Sequence, residues 1–123
     1  VETERRALTG WGRTAPTVAT VVRATADELG AEDGLASVVG SRGAIARGLG
    51  RSYGDPAQNG GGIVIELQPG EQPIRLDTEA AVAHVDAGVS LDALLREIVP
   101  RGFFVPVTPG TRFVTVGGAV ASD

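Results

Sequence analysis

The sequence predicts an α+β or α/β unit around a small sheet, on three observations. β-branched and apolar runs of strand length alternate with capped, helix-spaced stretches, the order of a mixed domain. The 123 residues and 12.5 kDa match one ordinary domain, long enough to bury a core. No Ser/Pro-rich linker, internal repeat or low-complexity tract divides the chain, so one unit over residues 1–123 is expected.

Thr17–Arg23 is β-branched and predicts a strand. Thr25-Ala26-Asp27-Glu28 fits a capping box, so a helix should open there, interrupted by Gly30 and Gly34. Ala44–Arg47 predicts a short strand running directly into glycines, and Gly60–Gly62 lead into Ile63–Leu67, an apolar run suited to a buried strand. Ile74–Asp77 and Val82–Asp86 alternate and should pair as a hairpin across Thr78–Ala81. Ser90 then caps a helix whose Leu91, Leu94, Leu95 and Ile98 recur at i, i+3, i+4 and i+7 and make a core stripe. Pro100 and Gly102 end it. Phe103–Val107 predicts a strand closing in a turn at Pro109-Gly110. Val114–Asp123 reads as a strand or loop entering a helix with no terminator, so further polypeptide is expected beyond it.

Hydrophobic residues at 42% and charged residues at 21% exclude a disordered polyelectrolyte. No apolar run approaches the roughly 20 residues of a bilayer span, and Val1–Arg6 lacks the apolar centre of a secretory signal. A cytoplasmic or peripherally membrane-associated location is therefore expected. The absence of cysteine removes disulfides, thiol nucleophiles and thiolate metal sites. The one histidine, His84, sits in a strand, and Asp77, Asp86 and Asp92 are spaced as turn and helix-start residues. No metal site and no His-based triad is expected. A net charge of −4 and dispersed arginines argue against nucleic acid. Two features stand out: eighteen glycines, about twice the usual ~7%, and eleven basic residues that are all arginine. The second reads as codon bias.

The glycines concentrate in Arg47-Gly48-Leu49-Gly50-Arg51-Ser52-Tyr53-Gly54-Asp55, directly after a strand. Glycine lets successive backbone N–H groups turn inward without Cβ interference. Such a concavity holds phosphate oxygens, with arginine as counter-charge. Arg42, Arg47 and Arg51 suit a small anion better than a polymer, although a plain glycine turn fits the same composition. The dinucleotide fingerprint G-x-G-x-x-G fails because Gly54 falls one residue late and no helix pattern follows. A P-loop needs a lysine that this chain lacks. In a second cluster, Pro109-Gly110-Thr111-Arg112 and Thr115-Val116-Gly117-Gly118-Ala119, glycines precede a helix whose first N–H groups would face an anion. Two such segments could grip two parts of a long diphosphate, which favours a dinucleotide over a single phosphate.

These two motifs resemble the N-terminal FAD-binding domain of the vanillyl-alcohol-oxidase (PCMH-type) flavoproteins. Gly10–Pro16, Arg42–Asp55 and Ala57–Gly62 bring the resemblance closest to members that oxidise a lipid-phosphate-linked ribose. It implies an α+β fold, with residues 1–123 as the N-terminal part of the FAD domain, a small sheet flanked by helices. It implies FAD as cofactor, contacted by Gly48 through Asp55 and by Gly110, Thr111, Thr115, Val116, Gly117 and Gly118, with Arg51 and Arg47 near the diphosphate. Tyr53 would lie near the flavin and the sugar pocket, as would the stretch that carries Trp11. A half-buried core or interface role fits Trp11 equally on sequence alone. The implied reaction is oxidation of the ribose C2 hydroxyl by hydride transfer to flavin N5, in arabinan precursor synthesis. An NAD-dependent keto-ribose reductase is the implied partner.

Many relatives carry a histidine bonded covalently to the flavin where this chain has Arg51; arginine cannot form that bond, so non-covalent FAD is expected. The resemblance places the catalytic base and the substrate domain in the remainder of the polypeptide, so this chain alone should be inactive. A related aldonolactone or alditol oxidase would share this segment. A non-catalytic FAD- or nucleotide-binding module is the reading from another class.

Overall fold

The computed structural model describes residues 1–122; Asp123, the last residue of the expected terminal helix, lies outside them. The chain forms two compact units, Val1–Gln68 and Pro69–Asp123, with separate apolar clusters. Their junction falls in Gln68-Pro69-Gly70-Glu71-Gln72-Pro73, a stretch too polar and too rich in Pro and Gly to continue a strand.

The first unit is a four-stranded mixed sheet of β1 (Glu2–Leu8), β2 (Thr17–Ala24), β3 (Ala44–Ala46) and β4 (Ile63–Leu67), in the order β1-β2-β4-β3. β1 runs antiparallel to β2, with Leu8 opposite Thr17, while β2 and β3 flank β4 in parallel, Val21 and Ile45 both level with Val64. The pleat sorts the side chains onto two faces. Leu8, Ala19, Val21 and Val64 cluster on one face, and Val22, Ala24 and Ile65 on the other. Leu29 of α1 (Ala26–Gly30) and Val38 of α2 (Gly34–Val38) pack on the second face. Burial on both faces explains why β2 and β4 carry apolar residues in succession.

The sequence predicts no strand at β1, because Glu2-Thr3-Glu4-Arg5-Arg6-Ala7-Leu8 lacks a β-branched alternation. Its strand character comes from across the sheet. Glu2 faces Arg23 of β2, and Arg23 faces Glu66 of β4. The Arg23 guanidinium lies 2.8 Å from Glu4 and 3.4 Å from Glu66, and Arg6 bridges Glu4 and Glu66. Glu4 is the main cause that holds the Arg23 guanidinium above its ordinary pKa. Cross-strand ion pairs of this kind support an edge strand that little apolar burial favours.

The capping box forms as expected. Glu28 N–H donates to Thr25 Oγ1 (3.2 Å) and Thr25 N–H donates to Glu28 Oε2 (2.8 Å). That backbone bond, with the Val1 amino group and the Thr25 hydroxyl, lowers the Glu28 carboxyl from its ordinary 4.5 to about 2.

The second unit packs a hairpin of β5 (Ile74–Asp77) and β6 (Val82–Val85) with α3 (Leu91–Ile98), a 3₁₀ turn (Val99–Arg101) and α4 (Val116–Ser122). Ser90 Oγ accepts from Ala93 N–H (3.1 Å) and caps α3. Leu91, Leu94 and Ile98 are buried with Val89, and Leu95 is partly buried, as the helical spacing requires. Phe103–Val107 departs from expectation, because it is unpaired and forms no strand. Phe103 and Val105 pack on the α3 cluster, while Phe104 is 65% exposed. Composition favours an extended chain here, but an extended chain is a strand only where a neighbour supplies hydrogen bonds, and Pro106 withholds a donor.

Two outcomes follow from this packing. Val64→Ala, at a fully buried position, should cost about 2 kcal/mol, whereas Val18→Ala, at a 46% exposed one, should cost under ~0.5. Urea unfolding followed by the fluorescence of Trp11, the sole tryptophan, measures both, and equal costs would contradict the two-faced core. Because the Glu28 pKa is depressed, its contribution is complete above about 4.5 and lost as pH falls toward about 2. A carboxyl-carbon NMR titration should put its midpoint near 2; one at 4 or above would exclude the capping box in solution.

Candidate cofactor-binding site

The glycine loop leaves the sheet where Arg47 N–H donates to Ile65 O (2.8 Å). From Gly48 to Asp55 no backbone N–H donates to another group among the described residues. Four of the eight carbonyls of the same stretch accept hydrogen bonds. Ser52 O accepts from Trp11 N–H (2.7 Å), Tyr53 O from Gly12 N–H (3.2 Å) and Asp55 O from Gln58 N–H (3.1 Å). Leu49 O accepts from Arg51 Nη1 (3.0 Å). Half of the acceptors are thus taken up by the protein, while the backbone N–H groups have no partner among the described residues. Successive main-chain N–H groups without protein partners are the kind of donor that binds anions.

Two glycines make this geometry possible. A Cβ on Gly10 would overlap Gly54 O, so only glycine lets residues 10–12 approach the loop closely enough to bond its carbonyls. Gly50 has φ +70°, and a Cβ there would run into the Arg47 guanidinium.

Two polar side chains brace the loop. Arg47 donates through Nη2 to Thr9 O (2.7 Å) and through Nη1 to Ala57 O (2.9 Å). Burial is the main cause that lowers its pKa, with Arg6 adding to it and Glu66 opposing. Gln58, only 3% exposed, places Nε2 within 3.1 Å of Leu8 O, Ala15 O and Thr17 Oγ1, tying the loop to both ends of the β1–β2 connection. Sequence reasoning assigned Gln58 no role, since a buried and an exposed glutamine in a polar turn look alike. At the surface, the Arg51 guanidinium stacks 4.2 Å from the Trp11 ring centroid, and Tyr53 is 76% exposed. Leu49, Ser52, Gly54 and Asp55 are exposed beside them.

The second glycine segment lies in the other unit. The start of α3 holds it, because Leu91 N–H donates to Val114 O (2.9 Å) and Asp92 N–H to Arg112 O (3.0 Å). The Asp92 carboxylate also meets Arg112 Nε (2.8 Å) and Arg96 Nε (3.0 Å). These two guanidinium groups, Arg96 first, hold its pKa below the ordinary carboxylate value. Thr111 Oγ1 accepts from Phe113 N–H (3.1 Å), and Gly110 and Thr111 are exposed.

The expectation that the following helix offers its first N–H groups to an anion is corrected. Val116 N–H donates to Val89 O (2.8 Å), Gly117 N–H to Ala87 O (2.9 Å) and Gly118 N–H to the buried Thr115 Oγ1 (3.0 Å). Gly117 and Gly118 lie inside the first turn of α4 and do not precede it. Their small size serves packing, since a Cβ on Gly117 would stand 3.1 Å from the Ala87 Cβ.

Comparison with known proteins bears on both segments. Residues 39–123 match the family described as FAD binding domain. Over 122 residues, 98% of this chain, the sequence is 52% identical to decaprenylphosphoryl-beta-D-ribose oxidase of Mycolicibacterium smegmatis. The chain spans 26% of that relative's length, about a quarter. A stretch of 64 residues, 52% of this chain and 14% of the relative, is 36% identical to D-lactate dehydrogenase of Anaerostipes hadrus. The family match includes the glycine loop and the second segment, agrees with the α+β fold, and identifies FAD as the cofactor. The chain belongs to the FAD binding domain family.

Proposed function

We propose that this chain is the cofactor-holding part of an FAD-dependent oxidoreductase that converts the C2 hydroxyl of decaprenylphosphoryl-β-D-ribose to the 2-keto sugar, within arabinan precursor synthesis. The observation that carries the substrate is the 52% identity, over 98% of the chain, to a relative named for that activity.

Backbone donors from Gly48 to Asp55 hold the diphosphate, and Arg51 offsets its charge. Arg47 braces that loop from its carbonyl contacts. Gly110 and Thr111 make the second contact, backed by Thr115, Val116, Gly117 and Gly118. Tyr53 faces the flavin and the sugar. FAD, when bound, supplies the two-electron acceptor. The remainder of the polypeptide supplies the base and the sugar pocket, and an NAD-dependent reductase consumes the keto product. Among the described residues no helix is long and apolar enough to cross a membrane. Peripheral association with a membrane would give access to a lipid-phosphate substrate.

Full-length protein given decaprenylphosphoryl ribose, an aldonolactone and an alditol in turn should form a keto product from the first alone. Oxidation of either small substrate in its place would overturn the assignment. Arg51 also makes FAD attachment non-covalent in this reading. Acid precipitation should release all the yellow colour into the supernatant, and colour retained in the pellet would refute it.

A further inference from the structure

We infer that Trp11 is a positioning residue for the cofactor loop, acting through Arg51. The inference rests on the reading that Gly48–Asp55 holds the FAD diphosphate. Trp11 meets the loop twice, through its N–H on Ser52 O (2.7 Å) and through its ring beneath the Arg51 guanidinium (4.2 Å). One ring face is therefore already occupied.

The choice of an aromatic partner has an electrostatic consequence. Arg6, Arg23, Arg96, Arg101 and Arg112 all pair with carboxylates. Arg51 has no carboxylate partner among the described residues, and its remaining protein contact is the neutral Leu49 O. A carboxylate would orient the guanidinium but cancel its charge. An indole face orients it and leaves the charge available to an anion. With Leu49 O on one side and Trp11 below, Arg51 is held at the mouth of a loop whose N–H groups are free. Trp11 thus sets the strength of diphosphate binding through the orientation of Arg51.

The test compares Trp11→Phe, Trp11→Leu, Arg51→Gln and the Trp11→Leu/Arg51→Gln double variant in the full-length protein. FAD dissociation constants are measured at low and raised ionic strength, and sugar KM and kcat at saturating FAD. Trp11→Leu should weaken FAD binding about threefold to tenfold, while Trp11→Phe, which keeps an aromatic face, retains most of the affinity. The double variant should bind no more weakly than Arg51→Gln alone, with a shallower salt dependence than the parent, and sugar KM should not move. Strictly additive losses would overturn the inference, as would a raised sugar KM with FAD affinity unchanged. A normal FAD affinity in Trp11→Leu beside a weakened one in Arg51→Gln would refute the Trp11 role alone. If Arg51→Gln and Gly50→Val both bind FAD normally, the loop is not the diphosphate site and the underlying reading falls with the inference.

Discussion

Everything at the candidate site depends on one close approach of backbone to backbone, residues 10–12 against residues 52–54. A loop of mixed polarity cannot bind an anion well, because each carbonyl that faces the ligand cancels the donor beside it. Here Trp11 and Gly12 take up the carbonyls of Ser52 and Tyr53, and no backbone N–H from Gly48 to Asp55 is spent among the described residues. The approach is possible only because position 10 lacks a side chain. The β1–β2 connection is therefore part of the site even though it carries no phosphate-binding pattern of its own. That connection is itself tied down by Gln58, so one buried amide links the far end of the loop to the segment that orients its near end.

The sheet supports this arrangement by unusual means. One face near Leu8 and Val64 is apolar, but its continuation toward Glu2 and Arg23 is a lattice of ion pairs across three strands. Single surface pairs contribute little, whereas pairs that share partners and are partly desolvated restrain one another. Restraint matters more here than net stability. β1 ends at Leu8, immediately before Thr9 and Gly10, so the register of β1 against β2 determines where Gly10 meets the loop.

Most of the fold was legible where the signal is local. β2, β4, the hairpin, the Thr25 box and the α3 stripe follow from alternation, caps and helical spacing, each decided by residues close in sequence. β1 and Phe103–Val107 depart from their local patterns for opposite faces of one reason. Whether an extended segment becomes a strand depends on a neighbour elsewhere in the chain: charged β1 finds one, and apolar Phe103–Val107 does not. The site divides in the same way. The glycine loop was visible from composition, but nothing local to Gly117 shows that its N–H is spent on Ala87. Nor does any pattern reveal that Gln58 is buried.

Arg47 and Arg51 show how far residue type underdetermines role within one loop. They stand four positions apart with the same side chain, and both suit a diphosphate from sequence. Arg47 is partly desolvated, and two of its donors are spent on the carbonyls of Thr9, in the β1–β2 connection, and Ala57, just past the loop, so it behaves as a brace. Arg51 is stacked on an indole at the surface and has no carboxylate partner among the described residues. Both environments exploit the flat, multi-donor guanidinium. A lysine ammonium has no planar face to stack, and as a strongly hydrated point charge it has no fork to span two separated carbonyls. At these two positions a lysine would reproduce neither the planar stack nor the two-carbonyl span. What separates brace from counter-charge is the partner each guanidinium finds: main-chain oxygen in one case, a neutral π face in the other.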